Sequence, residues 1–100
     1  MIKHIVMFKF KEFADGRDKI GNAIELKAKL EALPARIAEI KFFEVGVNFA
    51  EVPVAYDLVL VSEFKSKEDL YSYQKHPEHV LVADFVGRIC ENRVVVDYIL

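Results

Sequence analysis

The sequence has one cysteine, Cys90, and little else that could cross-link it. A single thiol closes no intramolecular disulfide and builds no zinc site by itself. Cys90 is therefore expected to be a small buried apolar residue, and the compartment a reducing one. No charge of one sign dominates: 14 basic and 16 acidic side chains give a formal net charge of -2 and are scattered without runs. A nucleic-acid binder would show a basic stripe, and an anionic membrane surface would ask for the same, so neither is an expected partner. No apolar run approaches the roughly 18 residues that a membrane helix needs. Met1 to Phe10 carries Lys3 and Lys9 in a strand-like pattern without a small-residue cleavage site, and does not read as a signal peptide. The expected location is the cytoplasm. Linkers, solenoid repeats, low-complexity segments and a glycine-rich phosphate loop are all missing, and residues 1–100 read as one domain.

What is abundant is apolar side chain, 53% of the residues, which is high for so short a chain. Either most of it is interior or part of the apolar surface is buried against a partner. Ile2 to Phe10 is rich in β-branched and aromatic residues and reads as a strand. Ala14-Asp15-Gly16-Arg17-Asp18 is turn chemistry. Ile20, Ala23, Ile24, Leu30 and Leu33 then recur near helical spacing, and Pro34 ends that helix around Leu33, with one further short turn within Ala35 to Glu39. Lys41 to Asn48 is a second strand, where Gly46 suggests a bulge or a close approach. Tyr56 to Phe64 is a third. Ser66 offers an N-cap with Asp69 three residues on, opening a short helix through Leu70 and Tyr73. Pro77 suits the first turn of a new helix, continued by Val80, Phe85 and Ile89. Arg93 to Ile99 closes the pattern as a fourth strand. The order β-α-β-β-α-β predicts a ferredoxin-like α+β fold, with a four-stranded antiparallel sheet and its helices on one face.

Period-two alternation sorts the strand residues into two sets. His4, Val6, Phe8, Phe43, Val45, Val47, Leu58, Leu60, Val94 and Val96 are expected to face the helices. Ile5, Met7, Phe42, Val59, Val61 and Val95 fall on the other face, with Lys3, Lys9, Asp57, Glu63, Arg93 and Asp97 towards the strand ends. An apolar centre with a charged margin is interface anatomy. Burying six such side chains is worth on the order of 10 kcal/mol gross, which predicts a homodimer through that sheet face.

The chemistry that the sequence offers is histidine and tyrosine. His4 lies on the helix-facing side of the first strand. If Pro77 is the first helical residue, His76 is near the N-cap and His79 lies in the first turn, where the positive helix end disfavours imidazolium and leaves a proton acceptor. Tyr71 and Tyr73 precede it as candidate donors to a developing oxyanion. Being two apart, they point in different directions, and at most one can face a common pocket. His76 and His79 lack a carboxylate or thiol at ligand spacing, so no metal is expected. Asp84, Glu78 and Glu91 read as solvated charges.

His4-Ile5-Val6-Met7-Phe8-Lys9-Phe10, Val45-Gly46, the string Tyr73-Gln74-Lys75-His76-Pro77-Glu78-His79-Val80 and the closing Val94-Val95-Val96-Asp97-Tyr98 together resemble the stress-responsive α/β-barrel (Dabb) family, over essentially the whole chain. The resemblance implies a ferredoxin-like protomer whose sheet pairs with its twin to form a dimeric α/β barrel. It also implies a stress-response setting. Most members of the family have no established reaction. One, the plant olivetolic acid cyclase, closes a linear polyketide by aldol condensation with a Tyr and a His from the matching string. By that likeness His79 is the base, Tyr73 the oxyanion donor and His4 an accessory pocket residue. Such proton transfer asks for no cofactor. Three readings stand open on sequence alone. The first is a dimer of unassigned activity that binds a small hydrophobic or carbonyl ligand, with His4, Tyr73 and His79 in a buried hydrogen-bond network. The second is a cofactor-independent cyclase or lyase. The third is an oxygenase-like protein that takes haem or a quinol-type substrate in the same cleft.

Overall fold

The computed structural model describes residues 1–100. Its main sheet is antiparallel throughout and built from β1 (Ile2–Phe10), β4 (Ile40–Val47), β5 (Leu58–Phe64) and β6 (Cys90–Ile99), in the spatial order β4-β5-β1-β6. The helices α1 (Lys19–Glu31), α2 (Lys67–Lys75) and α3 (Pro77–Ile89) complete the ferredoxin-like α+β arrangement. Two short strands, β2 (Phe13–Ala14) and β3 (Arg17–Asp18), make a hairpin. Asp15 and Gly16 carry it through φ values of 54° and 80°, the paired left-handed geometry for which an Asp-Gly dipeptide is suited. No helix is long and apolar enough to cross a membrane.

The helix boundaries follow local chemistry. Asp18 caps α1 by accepting from the Gly21 amide at 2.8 Å, and Ser66 caps α2 by accepting from Asp69 at 3.2 Å. The first helix stops at Glu31, and the further turn is a 3-10 turn at Leu33–Ala35 rather than beyond it. The buried face of α1 differs from the expected one. Ile20 and Ile24 are exposed, while Asn22, Ala23, Leu26 and Leu30 turn inward. Both stripes have helical period, so spacing alone does not choose between them. Asn22 decides it by donating its side-chain amide to the Ala14 carbonyl at 3.0 Å, tying the hairpin to the helix.

Nineteen buried apolar residues form one core between the helices and the sheet, with Phe8, Phe10, Leu58, Leu60 and Phe64 contributed by the strands. Gly46 is a close approach: a Cβ there would lie 3.2 Å from Val59 Cγ1. The irregularity of β4 falls at its other end, between Ile40 and Phe42, and the pairing at Gly46 is regular.

The last strand corrects the sorting of faces. Val95 pairs with Val6, Arg93 with Phe8 and Asp97 with His4, so Arg93, Val95 and Asp97 share the helix-side face. Val94 and Val96 pair with Met7 and Ile5 and lie on the outer face. A bulge where Lys9 and Phe10 meet Asn92 and Cys90 sets this register, and a one-residue slip exchanges every side chain between faces. The run Val94-Val95-Val96 carries no alternation from which the choice could be read. The outer face then holds Ile5, Met7, Phe42, Val59, Val61, Val94 and Val96, with Met7, Phe42, Val94 and Val96 exposed in the single chain.

Candidate active site

The helical break at Pro77 builds the site. Proline excludes helical geometry from the preceding residue, and His76 is extended there (φ -62°, ψ 136°). His76 caps the new helix, its Nδ1 accepting from the Glu78 amide at 3.1 Å. That amide would have been the partner of the Gln74 carbonyl had one helix run through. The carbonyl, one of the acceptors that a helix end leaves unpaired, is met instead by Nδ1 of His79 at 3.0 Å. A carbonyl can only accept, so Nδ1 carries the proton and Nε2 of neutral His79 is left with a free lone pair. Burial lowers the pKa of His79 below its ordinary value, and the charges of His4, Arg93 and His76 act in the same sense against the Gln74 hydrogen bond. The imidazole was expected to be neutral, but desolvation rather than the helix end is the leading cause.

Tyr73 lies one turn before the break, on the core side of α2 with Leu70, while Tyr71 is exposed. Only one of the two tyrosines reaches the interior. The Tyr73 ring is fully buried, 4.5 Å from the His79 ring, 6.3 Å from His4 and 4.9 Å from Phe64 between centroids. Its hydroxyl is buried and has no hydrogen-bond partner. Burial also raises its pKa far above 10.0, so the group is a neutral phenol and a permanent donor. His4 is buried on β1, its Nδ1 hydrogen-bonded to the Asp97 carboxylate across the strand pair. Its main-chain carbonyl accepts from the buried Ser62 hydroxyl at 3.2 Å.

His4, Tyr73 and His79 border one cavity of about 250 Å³ between α3 and the sheet, together with Gln74 and Arg93. Its apolar wall comes from Val6, Leu60, Val82, Val86 and Val95. The spacing of His79, Val82, Ala83 and Val86 puts all four on the side of α3 that borders it. The trio therefore meets, but as stacked and edge-on rings: no hydrogen bond joins its members. A buried network linking them, one of the expected forms, is absent. Asp97 and Arg93 were missed as site residues because the alternation had placed them on the outer face. The pairing of Ile2 with Ile99, four residues on from Val95 with Val6, is the register that brings them in. Cys90 is half-buried against the core, its thiol pushed up to about 11 by burial, in keeping with a space-filling role.

Fold and site together define a class, and comparison with known proteins agrees. The chain belongs to the Dabb family: the stress responsive A/B barrel domain model matches residues 2–100. A stress-response A/B barrel domain-containing protein of Arabidopsis thaliana is 37% identical over 100 residues, covering 99% of this chain and 36% of the plant protein. The chain thus spans about a third of the length of that relative. Among solved structures, a dimeric protein of unknown function and ferredoxin-like fold from Bacteroides fragilis superposes with a TM-score of 0.88 at 35% identity, covering 99% of this chain and 95% of the other. The hydroxynitrile lyase of Passiflora edulis shares the fold, with a TM-score of 0.81 at 20% identity over 99% of this chain and 92% of its own.

Proposed function

We propose that this protein is a cofactor-independent acid-base enzyme acting on a small carbonyl compound, with His79 as base, Tyr73 as oxyanion donor and His4 as the residue that closes the pocket behind them. The observation that carries the reading is the Tyr73 hydroxyl, buried and unpartnered beside an imidazole whose Nε2 is uncommitted. An orphaned buried donor costs about 1–3 kcal/mol. A merely structural tyrosine at this position would be better as phenylalanine, whereas a donor kept for an oxygen that arrives with the substrate must wait unpaired. This favours chemistry over passive retention of a hydrophobic or carbonyl ligand, in which a paired network would be the stable arrangement.

The step is a proton transfer. Nε2 of His79 removes a proton from the carbon next to the carbonyl, and the C–H electrons move into the enolate. The Tyr73 O–H donates to the enolate oxygen, where the negative charge accumulates. The nucleophilic carbon then attacks a second carbonyl, and the imidazolium returns its proton to the new alkoxide, which closes a cyclase-type aldol reaction. A lyase runs the same transfers in reverse, cleaving the carbon–carbon bond, and the shared fold of the Passiflora enzyme is compatible with that direction. The lowered pKa of His79 keeps it a free base at neutral pH.

The enzyme is also proposed to work as a homodimer in the cytoplasm, with the outer sheet faces of two protomers apposed. The exposed Met7, Val94 and Val96 at the centre of that face support it, as does the dimeric state named for the Bacteroides protein. The test of the reaction is hydrogen–deuterium exchange at the carbon next to the ketone of two probes, the neutral 4-phenyl-2-butanone and the keto acid levulinate, followed by NMR in D2O. The wild type should accelerate exchange over buffer, and His79→Ala should remove the acceleration by about 100-fold or more while leaving the fold intact. Exchange at the buffer rate, or an unaffected His79→Ala, would reject the assignment.

A further inference from the structure

Arg93 is the one permanently charged residue in the cavity wall; no Asp or Glu lines it. The guanidinium makes no ion pair and no side-chain hydrogen bond, although seven other Lys and Arg side chains of the chain are paired with carboxylates. The carboxylates nearest along its own strand are committed elsewhere: Asp97 to His4, and Glu91 to Lys9 at 3.3 Å. Its place follows from the register of β6, which pairs it with Phe8 on the helix side of the sheet. From there its positive charge is felt at the His79 imidazole. A pocket with a largely apolar wall thus presents a free, forked cation together with the base and the oxyanion donor.

We propose that Arg93 binds a carboxylate of the substrate, so that the molecule taken up is a small carbonyl compound bearing an anionic carboxylate and an apolar body. Guanidinium meets carboxylate in a two-pronged, charge-assisted geometry that fixes orientation as well as affinity. The cavity of about 250 Å³ suits a compact acid, since it lies at the lower edge of small-molecule sites. Arg93 is then a specificity-determining residue, holding the substrate so that its reactive carbon faces His79. The assignment of the pocket as a substrate site rests on the reading above; the ligand class does not depend on proton transfer.

The experiment is an NMR titration of the full chain with benzoate and with benzamide, which share a shape and differ in charge, neither having an exchangeable proton next to a carbonyl. Benzoate should bind at least about tenfold more tightly than benzamide, with shifts centred on the amides of Tyr73, His79 and Arg93. Arg93→Gln, at an exposed position, should erase the preference, and Arg93→Lys should restore part of it. Equal binding of the two probes, binding of neither, or a preference that survives Arg93→Gln would overturn the proposal. Selective benzoate binding without deuterium exchange on levulinate, which carries both a carboxylate and C–H bonds next to a ketone, would instead sink the acid-base reading and leave the carboxylate site standing.

Discussion

Replacing Tyr73 with phenylalanine separates a structural role from a chemical one more sharply than any other change in this protein. The ring fills the centre of the aromatic cluster formed with His4, Phe43, Phe64 and His79, and Phe retains it. Only the hydroxyl is lost, and that hydroxyl is buried and pairs with nothing. Removing an unsatisfied buried donor recovers part of a penalty of about 1–3 kcal/mol. Against this stands the loss of a few dispersion contacts at roughly 0.1–0.2 kcal/mol each. The net expectation is a stabilisation of about 1 kcal/mol, which in a domain of this size is roughly 4–8 °C in Tm. Had the hydroxyl been hydrogen-bonded, the same substitution would destabilise by about 0.5–1.5 kcal/mol, so the two cases differ in sign. The assay is urea denaturation at fixed protomer concentration, since association contributes to apparent stability, paired with the exchange assay on the same samples. Tyr73→Phe should be more stable and about 10- to 1,000-fold slower. A variant that is less stable than the wild type, or equally active, refutes the argument that the hydroxyl is held in reserve for a substrate oxygen.

Further outcomes follow from the same geometry. The exchange rate should fall as pH drops through the lowered pKa of His79 and stay flat above it, because the neutral imidazole is the base. The sign for stability is the same: a depressed histidine pKa means that the unfolded chain binds more protons, so this contribution is complete above about pH 6.5 and is lost as pH falls through the folded value. His79→Gln should flatten that part of the urea-midpoint profile against pH. Met7→Lys puts a charge at the centre of the outer face, between Val59 and Val94, and should convert a dimer into a monomer in light scattering at micromolar concentration; an unchanged mass would show that this face is not the interface. Cys90, its thiol pushed up to about 11, should react with iodoacetamide at pH 8 at least about tenfold more slowly in the native protein than in urea, since only the thiolate attacks.

The element order, the caps and the break at Pro77 were legible in the sequence because they are local: Ser66, His76 and Pro77 act on backbone within three residues of themselves. The meeting of Tyr73 with His79 was legible too, since the break that separates α2 from α3 is written in the same string. Where two choices were locally equivalent, long-range packing made the selection. On α1 two apolar stripes have the same period, and the buried one is selected by the bond from Asn22 to Ala14, eight residues away. On β6 three consecutive valines suit either face equally well. The bulge against Lys9 and Phe10 chooses between them, and with them it turns Arg93 and Asp97 from the expected outer margin to the helix side, Arg93 into the pocket wall and Asp97 onto His4. Their partners, Phe8 and His4, lie at the other end of the chain, on β1. The bulge that sets the register is a pairing between β1 and β6, which lie at opposite ends of the chain, so the residues around Arg93 and Asp97 do not reveal it by themselves.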